Sequence, residues 1–297
     1  MALNLHTFRT RALTAVVFVA VMLTGLLLNH WSFLILFSII HFGCWWEYFN
    51  LLEKIHRVSF NPFVRQGFML LGFGMMLLFC RPIFHIAQYG LRENISLPVS
   101  AAGVAMLIIG IFQTNTIKLK AFGAAALGLL YISLSWSLML DLFQLEINVI
   151  ASDTSFVVSG IFIPITVIVS IWINDTMAYI VGSFIGKRPL SPISPKKTWE
   201  GTIGGIILSI AVMSLVFPLI FFGFTNMAFV ALIAPIATLA SVVGTFGDLL
   251  ESRLKRMAGV KDSGQIMPGH GGFLDRFDSL LLAVPFVWLF VKAATWF

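Results

Sequence analysis

The stretch GTIGGIILSIAVMSLVFPLIFFGF, residues 201–224, is followed after two residues by MAFVALIAPIATLASVVGTFG, residues 227–247, and neither contains a charged side chain. Each is long enough to cross a bilayer as an α-helix, which takes roughly 20 apolar residues. The whole chain has the same character, since 59% of its 297 residues are hydrophobic, 11% are charged and the mean hydropathy is +0.95. A soluble domain carries about 25% charged residues. We therefore predict an integral membrane protein.

Apolar runs of similar length recur along the chain and predict an all-α polytopic fold. We count nine candidate transmembrane helices and interpret residues 1–297 as a single membrane-embedded domain. The third run is short because Arg81 and Pro82 stop it, and the sixth is long enough to tilt or break. The predicted helices cover residues 12–29, 31–51, 66–80, 97–113, 121–140, 157–183, 201–224, 227–247 and 279–297.

The basic residues predict the orientation of these helices. With a cytoplasmic N-terminus, the inside segments hold all but three of the 19 lysines and arginines, the exceptions being Arg81, Arg92 and Lys292. Such a bias is typical of membrane proteins. We therefore interpret the net charge of +6 as orientation signals and contacts with anionic lipids, not as a nucleic-acid surface. Cys44 and Cys80 stand apart in apolar runs, so neither a disulfide nor a zinc site is expected.

The segment from Asp248 to Asp278, DLLESRLKRMAGVKDSGQIMPGHGGFLDRFD, breaks the apolar pattern. It balances five acids against five bases, whereas a loop that only sets orientation would be rich in bases. Balanced charge is typical of a site for metal ions and phosphates, and a solvated loop of mixed charge is the alternative. The glycines around His270 would let the backbone approach a bulky ligand.

The acids of this segment predict a metal site. If the preceding helix continues past Asp248, then Asp248, Glu251 and Lys255 lie on one helical face. Asp275 and Asp278 share a face in the same way where the last helix begins. We expect these acids to meet around Mg²⁺, which takes oxygen ligands and is commonly held by one or two carboxylates and by substrate phosphates. The alternative is that Asp275, Arg276 and Asp278 cap the helix and pair with one another.

Two further carboxylates, Glu47 and Asp175, lie within predicted spans. Charges inside a membrane are costly and mark functional sites by default. Under the predicted orientation, both lie toward the cytoplasmic ends of their helices, as Asp248 does. A transporter would place such groups near the bilayer midplane. An enzyme with a soluble cytoplasmic co-substrate would place them at this depth, so their position favours an enzyme over a carrier.

A second polar stretch, GKRPLSPISPKKTWEG, ends at Gly201. Its prolines hold the backbone extended, and Thr198 is a predicted helix N-cap. Lys196 and Lys197 precede that helix, which is a phosphate-binding arrangement, and a loop that sets orientation is an equal alternative. Gly201 and Gly205 are spaced for close helix packing, which we favour over ligand contact.

These motifs resemble those of the phosphatidate cytidylyltransferase family, also called CDP-diacylglycerol synthases. The N-terminal half of the chain matches that family only in its hydropathy, and Met267 stands where the family usually has Leu, Ile or Phe. Ser194–Gly201 and Asn174-Asp175 resemble two of the family's hallmarks. The most specific resemblance runs over Ser252-x-Leu254-Lys255-Arg256, then Lys261-Asp262, then Pro268-Gly269-His270-Gly271-Gly272-Phe273-x-Asp275-Arg276-Phe277-Asp278.

The resemblance implies a nucleotidyltransferase that converts CTP and phosphatidate into CDP-diacylglycerol and pyrophosphate. It implies Mg²⁺, as one or two metal ions, with the active site facing the cytoplasm (from the inner membrane in a bacterium). Membrane lipids are expected partners and nucleic acid is not, while a homodimer is left open beside a monomer. A CTP-dependent polyprenol or lipid kinase and a membrane transporter are the alternatives.

The resemblance also implies roles for individual residues. They fall into three groups, which are catalysis, substrate binding and metal ligation. The catalytic group is Asp248, Lys255, Arg256, Lys261, Asp262, His270, Asp275 and Arg276; the substrate-binding group is Ser194, Lys196, Lys197, Ser252, Gly271 and Gly272; the metal ligands are Asp248, Asp275, Asp278 and Asp175.

Overall fold

A computed structural model describes residues 5–114, 118–151, 154–222, 227–266 and 271–296. Helices dominate this part of the chain, as predicted. Short π-helical segments, Leu129–Leu134 and Val212–Val216, join α5 directly to α6 and α8 to α9. The helices are α1 Leu5–Leu27, α2 His30–His56, α3 Pro62–Leu78, α4 Ser96–Gln113, α5 Leu119–Gly128, α6 Ser135–Phe143, α7 Phe162–Ile185, α8 Trp199–Ala211, α9 Phe217–Phe222, α10 Met227–Met257 and α11 Leu274–Trp296.

The described residues include seven helical stretches long and apolar enough to cross a membrane. Two shorter apolar helices, Leu13–Leu27 and Pro62–Leu78, lie at the first and third predicted spans. The helical membrane-protein class is therefore confirmed. The count of nine spans and the cytoplasmic N-terminus stay predictions.

In the part of the chain that the structure describes, three antiparallel hairpins interrupt the helices, and one of them corrects a predicted span. Residues 157–159 were included in the sixth helix but belong to a strand, and α7 begins at Phe162. Val157 is 61% exposed and Val158 is 4% exposed, which is the alternation of a strand. A short apolar run of β-branched residues does not by itself distinguish strand from helix. The hairpins pair β1 His85–Ile86 with β2 Tyr89–Gly90, β3 Glu146–Ala151 with β4 Thr154–Ser159, and β5 Pro189–Ser191 with β6 Ser194–Thr198.

The two helices that carry the charged segment are longer than the apolar pattern indicated. Helix α10 continues to Met257, so the prediction that the helix runs on past Asp248 is confirmed. It ends where Gly259 adopts a φ of +68° and Val260 N donates to Lys255 O at 2.9 Å, which is a glycine-based helix stop. Helix α11 begins at Leu274, ahead of the predicted start.

The chain divides into two compact units, and the single-domain prediction stays a prediction. The first unit comprises the chain up to Leu140 together with Leu254–Phe277. Its core is aromatic, since Phe37 and Trp45 of α2 are fully buried and the Phe37 ring lies 5.0 Å from the ring of Trp136. This packing fixes α2, the helix that contributes Glu47 to the candidate site.

The second unit comprises Asp141–Arg253 and the chain from Asp278 onward. Buried serines connect three of its helices, because Ser209 Oγ of α8 donates to Ser170 O of α7 at 2.8 Å and Ser241 Oγ of α10 donates to Ser209 Oγ at 3.0 Å. Such hydrogen bonds satisfy polar groups that would be costly if left unpaired inside the membrane.

Glycines bring α8 against α7 within the second unit. A Cβ at Gly205 would lie 2.6 Å from Asn174 O, and one at Gly201 would lie 2.5 Å from Ala178 O. Only glycine leaves room for backbones this close. The packing role predicted for Gly201 and Gly205 is confirmed.

Candidate active site

Asp175, Lys197, Asp248 and Asp278 form a charged cluster in the second unit, which we call the Asp248 cluster. Lys197 Nζ lies 2.6 Å from Asp248 Oδ2, and the two side chains are 29% and 27% exposed. The charges of Asp175 and Asp278 also act on Lys197. Asp278 is buried at 6% exposure and interacts electrostatically with the same three groups. One cation therefore serves three carboxylates.

The hairpin of β5 and β6 presents Lys197 to this cluster. Thr198 ends β6 and caps α8, with its side chain accepting from Gly201 N at 3.1 Å, so the predicted N-cap is confirmed. The Glu200 carboxylate accepts from Lys187 N at 3.1 Å and Arg188 N at 3.2 Å, which ties the two ends of the hairpin together. A short hairpin with a fixed base holds its last lysine in place.

Close packing of α10 on the start of α11 brings Asp248 and Asp278 of the cluster together. A Cβ at Gly247 would lie 2.6 Å from Asp278 O and 2.9 Å from Ser279 Cα. Because Gly247 has no side chain, the backbone of α10 lies against that of α11, and Asp248 follows directly. The glycine before Asp248 is thus part of what brings the acids together.

The charge of Lys197 is stabilised where it sits. Burial by itself would lower the pKa of the Lys197 ammonium, but the carboxylates of Asp248 and Asp175 and the hydrogen bond to Asp248 outweigh it. The pKa of Lys197 is therefore raised above its usual value. Lys197 remains a cation and balances the acids around it.

The Asp248 cluster suits Mg²⁺ by its chemistry. Its donors are carboxylate oxygens, the ligands that Mg²⁺ prefers, and three acids against one lysine leave an excess of negative charge. Within the described ranges, no group of three or more His, Cys, Asp or Glu side chains is already arranged to hold a metal ion. The residues therefore fit a divalent cation that would displace or supplement Lys197 at Asp248, and they do not form a ready-made cage.

A second cluster lies in the first unit and is built around Asp275. Its Oδ1 lies 2.6 Å from Lys255 Nζ, and its Oδ2 accepts from Gly272 N at 2.8 Å and Ser263 N at 2.8 Å. Asp275 is 9% exposed and Lys255 is 14% exposed. Gly272 lies two residues before α11 begins at Leu274, so its bond to Asp275 ties the segment before the helix to the first turn of the helix. We call Glu47, Lys255, Ser263 and Asp275 the Asp275 cluster.

We call Ser252–Asp278 the signature. Glu47 belongs to this cluster although it precedes Ser263 of the signature by 216 residues. Its carboxylate is 2% exposed and accepts from Phe273 N and Leu274 N, both at 2.9 Å. Ser263 Oγ lies 2.7 Å from Glu47 Oε2 and 2.9 Å from Asp275 Oδ2, so one hydroxyl bridges the two carboxylates. The sequence marked Glu47 as a costly charge but gave no indication of this partner, and no signal pointed to Ser263.

The glycines of the signature pack against these carboxylates. Gly271 has a φ of +86°, a left-handed conformation that favours glycine, and a Cβ there would lie 2.7 Å from Asp275 Oδ2. A Cβ at Gly272 would overlap the Glu47 carboxylate oxygens. Substrate binding by Gly271 and Gly272 stays a prediction, and the close approach that the structure contains is to the protein's own acids.

The remaining predicted site residues differ in exposure. Asp248 and Asp275 are described in different units, so their sharing of a metal ion stays a prediction. His270 lies outside the described residues. Ser194 and Ser252 are half-buried, whereas the exposed group is Asp175, Lys196, Arg256, Lys261, Asp262 and Arg276.

An apolar cavity of about 430 Å³ lies beside the Asp275 cluster within the first unit. Its walls come from α1 and α2, including Val17 and Leu36, and from Ile266, Phe273 and Phe277 of the signature. Phe273 also donates its backbone N–H to Glu47. One residue thus joins the apolar wall to the polar cluster.

Comparison with known proteins identifies the family of the chain. The cytidylyltransferase family model matches residues 9–294. The chain belongs to the cytidylyltransferase family. The matched range spans both the Asp248 cluster and the Asp275 cluster.

Individual relatives of this cytidylyltransferase carry the name phosphatidate cytidylyltransferase. The one from Haemophilus influenzae is 46% identical over 135 residues, which is 43% of this chain and 44% of the relative. The one from Bacillus subtilis is 37% identical over 188 residues, 63% of this chain and 64% of the relative. The one from Staphylococcus saprophyticus is 49% identical over 116 residues, 39% of this chain and 43% of the relative. The chain thus spans about two fifths to two thirds of the length of each relative.

Proposed function

We propose that this protein is a phosphatidate cytidylyltransferase, which converts CTP and phosphatidate into CDP-diacylglycerol and pyrophosphate. The observation that carries the proposal is the family match over residues 9–294, joined to relatives that bear this name. The apolar helices support a membrane-bound lipid substrate. The two charged clusters support a reaction between phosphates.

The reaction joins two anions. A phosphate oxygen of phosphatidate attacks the α-phosphorus of CTP, a P–O bond forms there, and the bond to the β-phosphate breaks to release pyrophosphate. A phosphate monoester is already largely ionised at neutral pH, so little activation by a base is needed. Catalysis of this kind depends on positioning and on offsetting negative charge.

The Asp248 cluster is our choice for the metal site. Asp248 and Asp278, with Asp175, would hold Mg²⁺, which when bound offsets the charge of the CTP phosphates. Lys197 keeps Asp248 oriented through their 2.6 Å contact. Its ammonium also limits the repulsion between the three acids.

The Asp275 cluster orients the basic residues of the signature. Asp275 fixes Lys255 through the 2.6 Å ion pair, so that Lys255 is presented from α10 in one position. Arg256 and Lys261 are exposed and supply positive charge for the phosphates of CTP or of the lipid. We assign His270 to phosphate contact as well, and Lys196 to the phosphate of the lipid or to pyrophosphate.

The apolar cavity is our choice for one acyl chain of phosphatidate. Its volume of about 430 Å³ and its apolar walls leave room for part of a hydrocarbon chain. Its wall residue Phe273 is two residues from Asp275, so a chain bound there would carry its phosphate toward the basic residues of the signature.

The test is turnover by the purified protein in detergent with Mg²⁺, CTP and phosphatidate. We expect release of pyrophosphate and formation of CDP-diacylglycerol. Release of CDP instead would identify a lipid kinase, and release of neither product would refute both enzymes and leave a transporter.

The cytoplasmic orientation of the site has its own test. Lys261→Cys places a thiol at an exposed position, and both native cysteines are buried. A maleimide that does not cross membranes should label the variant in inside-out vesicles and not in right-side-out vesicles. Labelling from the outside alone would reverse the proposed orientation.

A further inference from the structure

Glu47 is a buried carboxylate that, among the described residues, accepts hydrogen bonds from three groups of the signature. Its two oxygens lie within hydrogen-bonding distance of Phe273 N, Leu274 N and Ser263 Oγ, at 2.9, 2.9 and 2.7 Å. Phe273 and Leu274 are at the start of α11, where helical N–H groups have no acceptor within the helix. The partial positive charge of that helix end also favours a carboxylate. Glu47 therefore holds the start of α11 from a different helix, α2.

Between α10 and α11 the structure describes residues 258–266 and 271–273, which we call the signature loop, and two of their glycines lie against this carboxylate. A Cβ at Gly264 or at Gly272 would overlap the Glu47 side chain, and a Cβ at Gly43, one turn away on α2, would overlap the Phe273 ring. Gly264 and Gly272 thus let the signature loop lie directly against Glu47, and Gly43 leaves room on α2 for the Phe273 ring. A loop that only needed flexibility would not place its glycines against one side chain.

The contacts also indicate what Glu47 does not do. A carboxylate offers about four lone-pair sites, and three donors already approach this one. At 2% exposure it is closed off from solvent. Glu47 is therefore poorly suited to bind a metal ion or a substrate, although its position in a membrane span makes a functional role the default expectation.

We propose that Glu47 is a positioning residue for the reaction, which acts by fixing the signature loop and, through Ser263, the carboxylate of Asp275. With Asp275 fixed, Lys255 is held in turn by the 2.6 Å ion pair. This inference rests on the proposed function, because the reaction is what the positioned groups serve. Small misplacements of such groups lower the rate steeply, with about a hundredfold loss for 1 Å.

The first experiment compares Glu47→Gln with the unmodified chain. The amide keeps one acceptor oxygen but turns an NH₂ toward a backbone N–H donor, so the loop loses part of its hold. We expect kcat to fall on the order of tenfold to a hundredfold, as for the loss of a charged hydrogen bond, while KM for CTP changes less than threefold. Amide hydrogen exchange at Phe273 and Leu274 should accelerate by a similar factor. Unchanged exchange, or a change confined to KM, would overturn the proposal.

The second experiment uses the space around the carboxylate. Gly264→Ala should accelerate loop exchange and lower kcat in the unmodified chain, because its methyl group competes with Glu47 for space. In a Glu47→Ala background the same substitution should change kcat and loop exchange little further, since the carboxylate is gone. The matched control is Gly123→Ala on α5, where a Cβ meets nothing within 4 Å, and which should match the unmodified chain. If Gly264→Ala changed kcat and loop exchange by the same factor in both backgrounds, the proposal would be overturned.

Misfolding of a variant and failure of the proposed function can both be distinguished from failure of this proposal. If Glu47→Gln does not fold, Gly264→Ala retains the carboxylate and carries the test through hydrogen exchange alone, where unchanged exchange overturns the proposal. If the unmodified chain releases no pyrophosphate, the proposed function fails. The exchange measurements then still decide whether Glu47 holds the loop.

Discussion

The ion pair between Lys197 and Asp248 leads to a prediction about metal binding that does not depend on activity. Lys197→Met keeps the length and apolar stem of the side chain but removes an ammonium that interacts with all three carboxylates of the Asp248 cluster. Without Mg²⁺, repulsion among Asp175, Asp248 and Asp278 is then no longer offset. When Mg²⁺ binds to this variant, it does not have to displace a lysine ammonium from Asp248.

The magnitude follows from the exposure of the pair. Exposed pairs contribute about 0.2–1 kcal/mol and breaking a buried pair costs about 3–5 kcal/mol. Lys197 and Asp248 are 29% and 27% exposed. We therefore expect the free energy of unfolding of Lys197→Met in EDTA to fall by about 1–2 kcal/mol, which lowers Tm by about 2–8 °C. Because the metal no longer competes with an ammonium, its Kd should fall about tenfold, which corresponds to about 1.4 kcal/mol.

The assay is thermal unfolding of the purified protein in detergent, first in EDTA and then across a Mg²⁺ titration. Ligand linkage raises stability by about 2.7 kcal/mol at a hundred times the Kd, so Mg²⁺ should more than restore the Tm of Lys197→Met. Lys196→Met is the control, because Lys196 is the exposed neighbour, and it should titrate like the unmodified chain. Identical Mg²⁺ responses in all three proteins would refute a metal site at Asp248.

Three further predictions concern other parts of the molecule. Asp275→Asn removes the charge opposite Lys255, with both side chains largely buried; we expect loss of pyrophosphate release and a Tm lower by about 5–10 °C, and full turnover in a folded variant would contradict its role. Val17→Trp fills the apolar cavity, whereas Val16, also exposed on α1, does not line it; Val17→Trp should raise KM for long-chain but not short-chain phosphatidate, and an equal effect of Val16→Trp would argue against acyl binding there. The Asp141 carboxylate pairs with a lysine on α11 at 2.8 Å and accepts a hydrogen bond from a tryptophan on the same helix at 2.8 Å. Asp141→Asn removes this charge and should lower Tm while KM for CTP stays unchanged. A changed KM would disprove a purely structural pair.

The membrane class of the fold could be predicted because it depends on composition alone. Two runs without a single charge cannot form a soluble surface, and helices are the simplest way to satisfy a backbone in lipid. The boundaries were less accurate for a physical reason. An apolar count ends where charges begin, at Asp248, whereas the α10 helix continues until Gly259 stops it.

The candidate site was predictable where its residues are local in sequence. Thr198 caps the helix it precedes, and Gly201 packs that helix against its neighbour. The partner of Asp275 was harder to find, since Lys255 is one of several bases in the segment. Glu47 was identified as a charge within a span, but its partners could not be predicted, because no local pattern connects a carboxylate on α2 with backbone amides that follow 226 and 227 residues later.

That separation along the chain has a consequence for biosynthesis. Ser263 follows Glu47 by 216 residues, and at about 5–20 residues per second a ribosome takes roughly 10–40 s to reach it. Throughout that interval the second helix is already made, while the amides that will surround its acid do not yet exist. A nascent chain cut short before Leu274 would never acquire them, and quality-control proteases that sense polar groups in the bilayer would have a ready signal that synthesis had failed.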